Sequence, residues 1–134
     1  IEGRNEKVSK SLFVSQGIPA PMQCDQYVFD LGNNIHHPLL ENADEIYLVS
    51  RIGFNTLARL QELDLAPTAL VINFADRTKA QIKWLSQIEE AFPRLNISRV
   101  PFDIKAFESA AQSKSALIEI AANSLARKSI ATLG

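Results

Sequence analysis

Two rhythms of apolar residues run along this chain. Short runs rich in β-branched and aromatic residues read as strands: SLFVS (11–15), YVFDL (27–31), EIYLVS (45–50), TALVINF (68–74) and ISRV (97–100). Between them lie longer segments with a helical period. RIGFNTLARLQELDL puts Phe54, Leu57, Leu60 and Leu63 on one face, and DRTKAQIKWLSQIEEAF does the same with Ile82, Leu85, Ile88 and Phe92. Asp76 is the expected cap of the second helix, and Trp84 reads as a helix-packing residue. Two further helical stretches follow, at about 104–112 and 115–131, with apolar positions at Phe107, Leu117, Ile120, Ala121 and Leu125. Strands alternating with helices are the pattern of an α/β domain with a mostly parallel sheet flanked by helices. SLFVS fits that scheme least well. A crossover between parallel strands needs a dozen or more residues, and only 16–26, with two prolines among them, separate it from YVFDL. It is expected to pair antiparallel at an edge or to belong to an abbreviated connection.

Composition narrows the class. With 134 residues, 46% of them hydrophobic, the chain can bury one ordinary core and reads as a single domain over 5–134, expected to be the C-terminal part of a larger one. A net charge of −1 argues against a nucleic-acid-binding face. The lone cysteine, Cys24, has no partner for an internal disulfide and no basic neighbours to activate it; it fits a reducing, cytoplasmic setting. No apolar stretch approaches the ~20 residues of a membrane span, and IEGRNEKVSK lacks the apolar core of a signal peptide. Ile1-Glu2-Gly3-Arg4 spell the recognition sequence of factor Xa and read as a tag remnant.

Three strand ends are polar: VFDLG at Asp30, LVIN at Asn73 and RVPFD at Pro101, Phe102 and Asp103. In an open parallel sheet the carboxyl ends of the strands share a rim, where ligands bind. An aspartate there can hold a hydrated magnesium ion beside a phosphate. An asparagine amide offers both a donor and an acceptor to an adenine edge, and a Pro-Phe turn supplies backbone groups and an apolar flank. Each residue also has a plainer reading, as a turn residue that satisfies its own backbone. His36 and His37, adjacent on a loop, lack the geometry of a metal pair and read as exposed or loop-packing. Lys105, Lys114, Arg127 and Lys128 give the tail a mildly basic face, read as solvated or, more sharply, as a membrane or partner contact.

The order of these motifs, an apolar strand ending in Asp30, then NADEIYLVS, a helix containing Arg59, a strand ending in Asn73 and a VPFD turn followed by helices, resembles the second half of MinD/ParA-type ATPases from about Gln26 to Leu133. SLFVSQGIPAPMQ and VPFDIKAFESAAQ are most similar to the TadZ/CpaE branch, which acts in localising and assembling bacterial Flp pili. The resemblance implies a P-loop NTPase-like fold with ATP and magnesium as cofactors of the parent protein. It implies Asp30 as the magnesium-side carboxylate, Asn73 as the adenine reader, and Val100 to Asp103 as the loop beside the base. It further implies self-association, pilus-assembly or polar-localisation proteins as partners, and a cytoplasmic location peripheral to the inner membrane.

The departures are as specific. These ATPases grip phosphate with a Gly-rich, lysine-bearing loop, KGGxGK[ST], and none of the five glycines here begins one. Gly32 stands where a proline often follows the aspartate, and Ser113-Lys114-Ser115-Ala116 where a Gly-Pro pair is common. The chain is therefore expected to be a partial or degenerate relative that does not hydrolyse ATP unaided. The alternatives are a non-catalytic polar-localisation scaffold and a flavodoxin-like receiver or ligand-binding module. The receiver is disfavoured because SLFVSQ supplies no acidic cluster.

Overall fold

The computed structural model describes residues 26–133 and, within the first 25, the backbone of four short strands. By its contacts the chain divides into two compact units, Ile1–Asp44 and Glu45–Gly134.

The first unit is built from small pieces. Strand β1 (Glu2–Gly3) pairs in parallel with β4 (Ile18–Pro19), and β2 (Asn5–Lys7) pairs antiparallel with β3 (Phe13–Ser15). The Phe13–Ser15 part of SLFVS is thus antiparallel, its partner being Asn5–Lys7 and not 27–31, and Glu2–Gly3 belong to a strand pair. Cys24 lies outside the described residues. A 3-10 helix, Pro38–Asn42, closes the unit; its N-cap is His37, whose Nδ1 accepts from the Leu39 N–H at 3.2 Å. His36 is exposed, so the two histidines take the loop roles expected of them.

YVFDL is not a strand. Residues 26–31 form neither helix nor sheet, and Val28 is 89% exposed. Only three consecutive apolar residues, Tyr27 to Phe29, precede Asp30, and a strand's backbone groups need a neighbouring ladder that this segment lacks. The Asp30 carboxylate turns the chain instead. Its Oδ1 accepts from the Gly32 N–H at 3.0 Å, while Gly32 takes a left-handed φ of 57° that favours glycine.

The second unit is an α/β layer structure. Strands β5 (Tyr47–Ser50), β6 (Ala69–Ala75) and β7 (Asn96–Pro101) form a parallel sheet in the order β5-β6-β7. Helices α1 (Thr56–Gln61) and α2 (Lys79–Ala91) are the crossovers, and α3 (Ile104–Ser113), α4 (Leu117–Ile120) and α5 (Leu125–Ile130) follow β7. The central strand β6 shows why the sheet sits where it does. Ala69, Leu70, Val71 and Ile72 are all buried, as a strand covered on both faces requires.

Alternation along β6 sorts the two covers. Leu70 and Ile72 pack with Ile52, Leu60, Leu85 and Ile88, so α1 and α2 cover one face. Val71 packs with Val100, Ala106, Leu117 and Ala126, so the C-terminal helices cover the other. Trp84, Leu57, Leu63 and Phe92 pack partly buried against the first cluster, as their spacing predicts.

Several sequence expectations shift at helix ends. Phe54 precedes the six-residue α1 and is exposed, and Ile82 lies on the outer side of α2. Thr78, not Asp76, caps α2: its Oγ1 accepts from the Gln81 N–H at 3.3 Å, because Asp76 bends back to its neighbour's amide. The helix expected over 115–131 is two helices, with Ser124 capping the second and leaving Ile120 and Leu125 exposed.

Candidate functional site

The carboxyl rim of the parallel sheet is assembled by register. Asn73 of β6 faces Val100 of β7, and the next matched pair is Ala75 with Pro101. Phe74, between them, is a bulge: two residues of β6 advance while β7 advances one. A bulge of this kind needs a left-handed residue, commonly glycine, yet here Phe74 adopts φ 53°. That conformation costs about 1 kcal/mol for a residue with a Cβ. In return it directs the ring onto two aromatic neighbours. Phe74 meets Phe102 edge-on at 5.4 Å and Phe107 of α3 at 5.9 Å. The Arg51 guanidinium, from the loop after β5, lies 4.4 Å from the Phe74 ring centre.

Asn73, Pro101, Phe102 and Asp103 are therefore brought to one rim, as their strand-end positions imply. Their chemistry differs. Asn73 is half-buried, and its Oδ1 accepts from the Phe74 N–H at 3.0 Å, which fixes the side chain at the bulge; its amide NH2 makes no hydrogen bond among the described residues. Phe102 is 60% exposed and offers a flat apolar face beside Phe74. Asp103 is occupied by the fold. Its Oδ1 accepts from the Ala106 N–H at 3.2 Å, capping α3, and its Oδ2 accepts from the Ser124 hydroxyl at 2.7 Å. Ser124 Oγ in turn accepts from the Arg127 N–H at 3.2 Å and caps α5.

Asp30 is not on this sheet; it belongs to the first unit. Its Oδ1 accepts from the Gly32 N–H, and among the described residues no three His, Cys, Asp or Glu side chains gather around one point.

Two clefts open along the rim. One, of about 270 Å³, is lined by the loop from Ser50 to Thr56 and by Arg59. The other, of about 310 Å³, has an apolar floor of Ile52, Ile72 and Leu85 and a polar mouth of Asp76, Arg77, Gln81 and Arg99. Gln81 Oε1 accepts from the Asp76 N–H at 2.7 Å and steadies that mouth. Arg51, Phe74 and Arg77 escape sequence reasoning as site residues. A phenylalanine with a left-handed φ has no signature in local propensity, and arginines in loops read as solvated charge.

Compared with known proteins, the chain matches no family model, no curated protein and no solved structure. Among the described residues no helix is long and apolar enough to cross a membrane.

Proposed function

We propose that this chain is the base-side part of a nucleotide-binding domain, partial or degenerate in the manner of MinD/ParA-type proteins, and without hydrolytic activity of its own. The observation that supports it most is the union of Asn73 with Pro101 and Phe102 at the carboxyl rim of a parallel sheet, the ligand-binding edge of open α/β folds. The Asn73 amide nitrogen serves as donor to an adenine ring nitrogen, and the backbone of Pro101 and Phe102 faces the exocyclic edge. The Phe102 ring supplies an apolar flank. Two observations support the absence of hydrolysis: the sequence carries no lysine-bearing glycine loop, and one oxygen of Asp30 accepts from the Gly32 N–H within a turn.

The test is a heteronuclear NMR titration with adenosine. Shifts confined to Asn73, Phe74, Pro101 and Phe102, weakened about tenfold by Asn73→Ala, are expected from the loss of one directed base contact. Uniformly small shifts, or no change on substitution, would remove the reading.

A second reading, that of a non-catalytic scaffold in a pilus-assembly or polar-localisation machine that works by self-association, is favoured by β5. It is one of the two outer strands of the three-stranded sheet, and on it Tyr47 is exposed and Val49 is 61% exposed. Outer strands with apolar exposed side chains invite pairing with another chain. Light scattering with size exclusion tests it. A dimer reduced to monomer by Val49→Lys is expected, and a monomer at every concentration refutes it.

A further inference from the structure

The cleft after β5 plays no part in base recognition, yet it is built with care. Its walls include Arg51, Gly53, Asn55 and Arg59, and neither arginine has a carboxylate partner: among the described residues the one ion pair joins Arg99 to Glu89. The Arg59 side chain makes no hydrogen bond there either. Two guanidinium groups lining one cleft make it electropositive and favour an anion there.

The loop that carries them is pinned. Thr56 is buried, and its Oγ1 accepts from the Gly53 N–H at 2.8 Å and donates to the Arg51 carbonyl at 3.3 Å. The Ser50 hydroxyl donates to the same carbonyl at 3.0 Å, and the Thr56 N–H donates to the Gly53 carbonyl at 3.0 Å. A pinned backbone holds the arginine stems in place before any ligand arrives, which lowers the ordering cost of binding. Gly53 is not required by the backbone or by packing. Its φ is not left-handed, and an added Cβ would meet only Thr56 Oγ1, at an ordinary 3.9 Å. What its missing side chain provides is space in the cleft.

We propose that this cleft takes the phosphate of a nucleotide, with Arg51 and Arg59 as its clamp. The proposal rests on the base-side reading, and Arg51 connects the two. Its guanidinium carbon lies over the Phe74 ring, 4.4 Å from the ring centre, and the Phe74 ring abuts Phe102, so cleft and base-side rim share a wall. A ring contact uses the guanidinium's charge and none of its N–H donors, which are left to donate to phosphate oxygens. The clamp is made of side chains and owes nothing to the short helix α1.

The experiment is a titration of the full chain with adenosine, ADP and pyrophosphate, read by NMR and calorimetry at low and high salt. ADP is expected to bind at least tenfold more tightly than adenosine at low salt, with the advantage shrinking as salt screens the charges. Arg59→Gln, an exposed change with no contact to lose, and Gly53→Leu, which fills the cleft, should each bring ADP down to the affinity of adenosine. Equal affinities for adenosine and ADP in the unaltered chain would overturn the clamp and leave the base-side reading standing. Pyrophosphate binding that Arg59→Gln abolishes, with adenosine unbound, would sustain the clamp and remove the base-side reading. Binding of none of the three compounds would overturn both.

Discussion

Replacing Asp103 by alanine should unfold the second unit more readily, by an amount that its hydrogen bonds let us work out. The carboxylate caps α3 through the Ala106 N–H and accepts from the Ser124 hydroxyl at 2.7 Å. Loss of an N-cap costs about 1 kcal/mol, and loss of a hydrogen bond to a charged acceptor costs roughly 1.5–3 kcal/mol. Asp103 is only half-buried, so water recovers part of the second loss, and about 2–3 kcal/mol is expected in total. Trp84, the single tryptophan, lies in α2 and reports this unit by fluorescence. With a urea slope of about 1.5 kcal/mol per molar, the midpoint should fall by roughly 1.5 M. Ser124→Ala removes the α5 cap and the same shared bond, so the double variant should lose less than the sum, with a coupling of about 1 kcal/mol. Asp103→Asn keeps a capping oxygen and should retain at least half of the stability. A change below about 0.5 kcal/mol in Asp103→Ala, or strict additivity with Ser124→Ala, would show that this relay between two helix starts does not hold the C-terminal helices.

Other consequences follow from single observations. Phe74→Ala should cost about 2 kcal/mol in lost ring and guanidinium contacts, while Phe74→Gly should cost about 1 kcal/mol less, because glycine accepts the left-handed φ; urea unfolding that ranks glycine below alanine would contradict the strain. Leu70→Ala, at a fully buried position of the central strand, should cost about 3–5 kcal/mol by the same assay, whereas Ile82→Ala, on the exposed side of α2, should cost less than about 1 kcal/mol. Tyr47 should ionise above the ordinary tyrosine value of 10.0, because its hydroxyl donates to Glu45 Oε2 at 2.8 Å, with desolvation and the Glu45 charge adding to the rise. The stability tied to this bond is present below the unfolded tyrosine pKa and is lost as pH rises through the folded one; ultraviolet titration in a Tyr27→Phe background should show Glu45→Gln lowering the Tyr47 value. Phosphate release from ATP should not exceed the uncatalysed rate, and turnover abolished by Asp30→Ala would overturn the non-hydrolytic reading.

The second unit was legible because its signals are redundant. TALVINF is an apolar run too long and too β-branched for anything but a covered strand, and the helix after it repeats apolar residues at a clean spacing from Leu85 to Phe92. YVFDL misled because a run of three apolar residues carries composition without context. EIYLVS is hardly longer, but it has β6 to pair with, and Thr68 ties its start down by accepting from the Ile46 N–H at 3.0 Å. A strand is a relation between two segments, so its existence depends on a neighbour that local pattern does not record. The split of the last helix was readable in principle. Ser124 is a good N-cap residue, but an apolar period running through Ala121 and Leu125 outvoted it.

The site was legible by position and illegible by role. Strand ends in a parallel sheet share a rim whatever their side chains, so Asn73 and Pro101 to Asp103 were bound to meet once β6 and β7 paired. What each group does there depends on where its hydrogen bonds go, and those partners are far apart in sequence. Asp103 reads as a ligand-facing carboxylate until Ser124, twenty-one residues on, takes its second oxygen. Arg51 reads as a solvated charge until the bulge at Phe74 swings an aromatic ring beneath it. The same bulge that spends about 1 kcal/mol of backbone strain therefore brings together, around one ring, Phe102 from the end of β7, Phe107 from α3 and Arg51 from the loop after β5, three groups that no local pattern in the sequence connects.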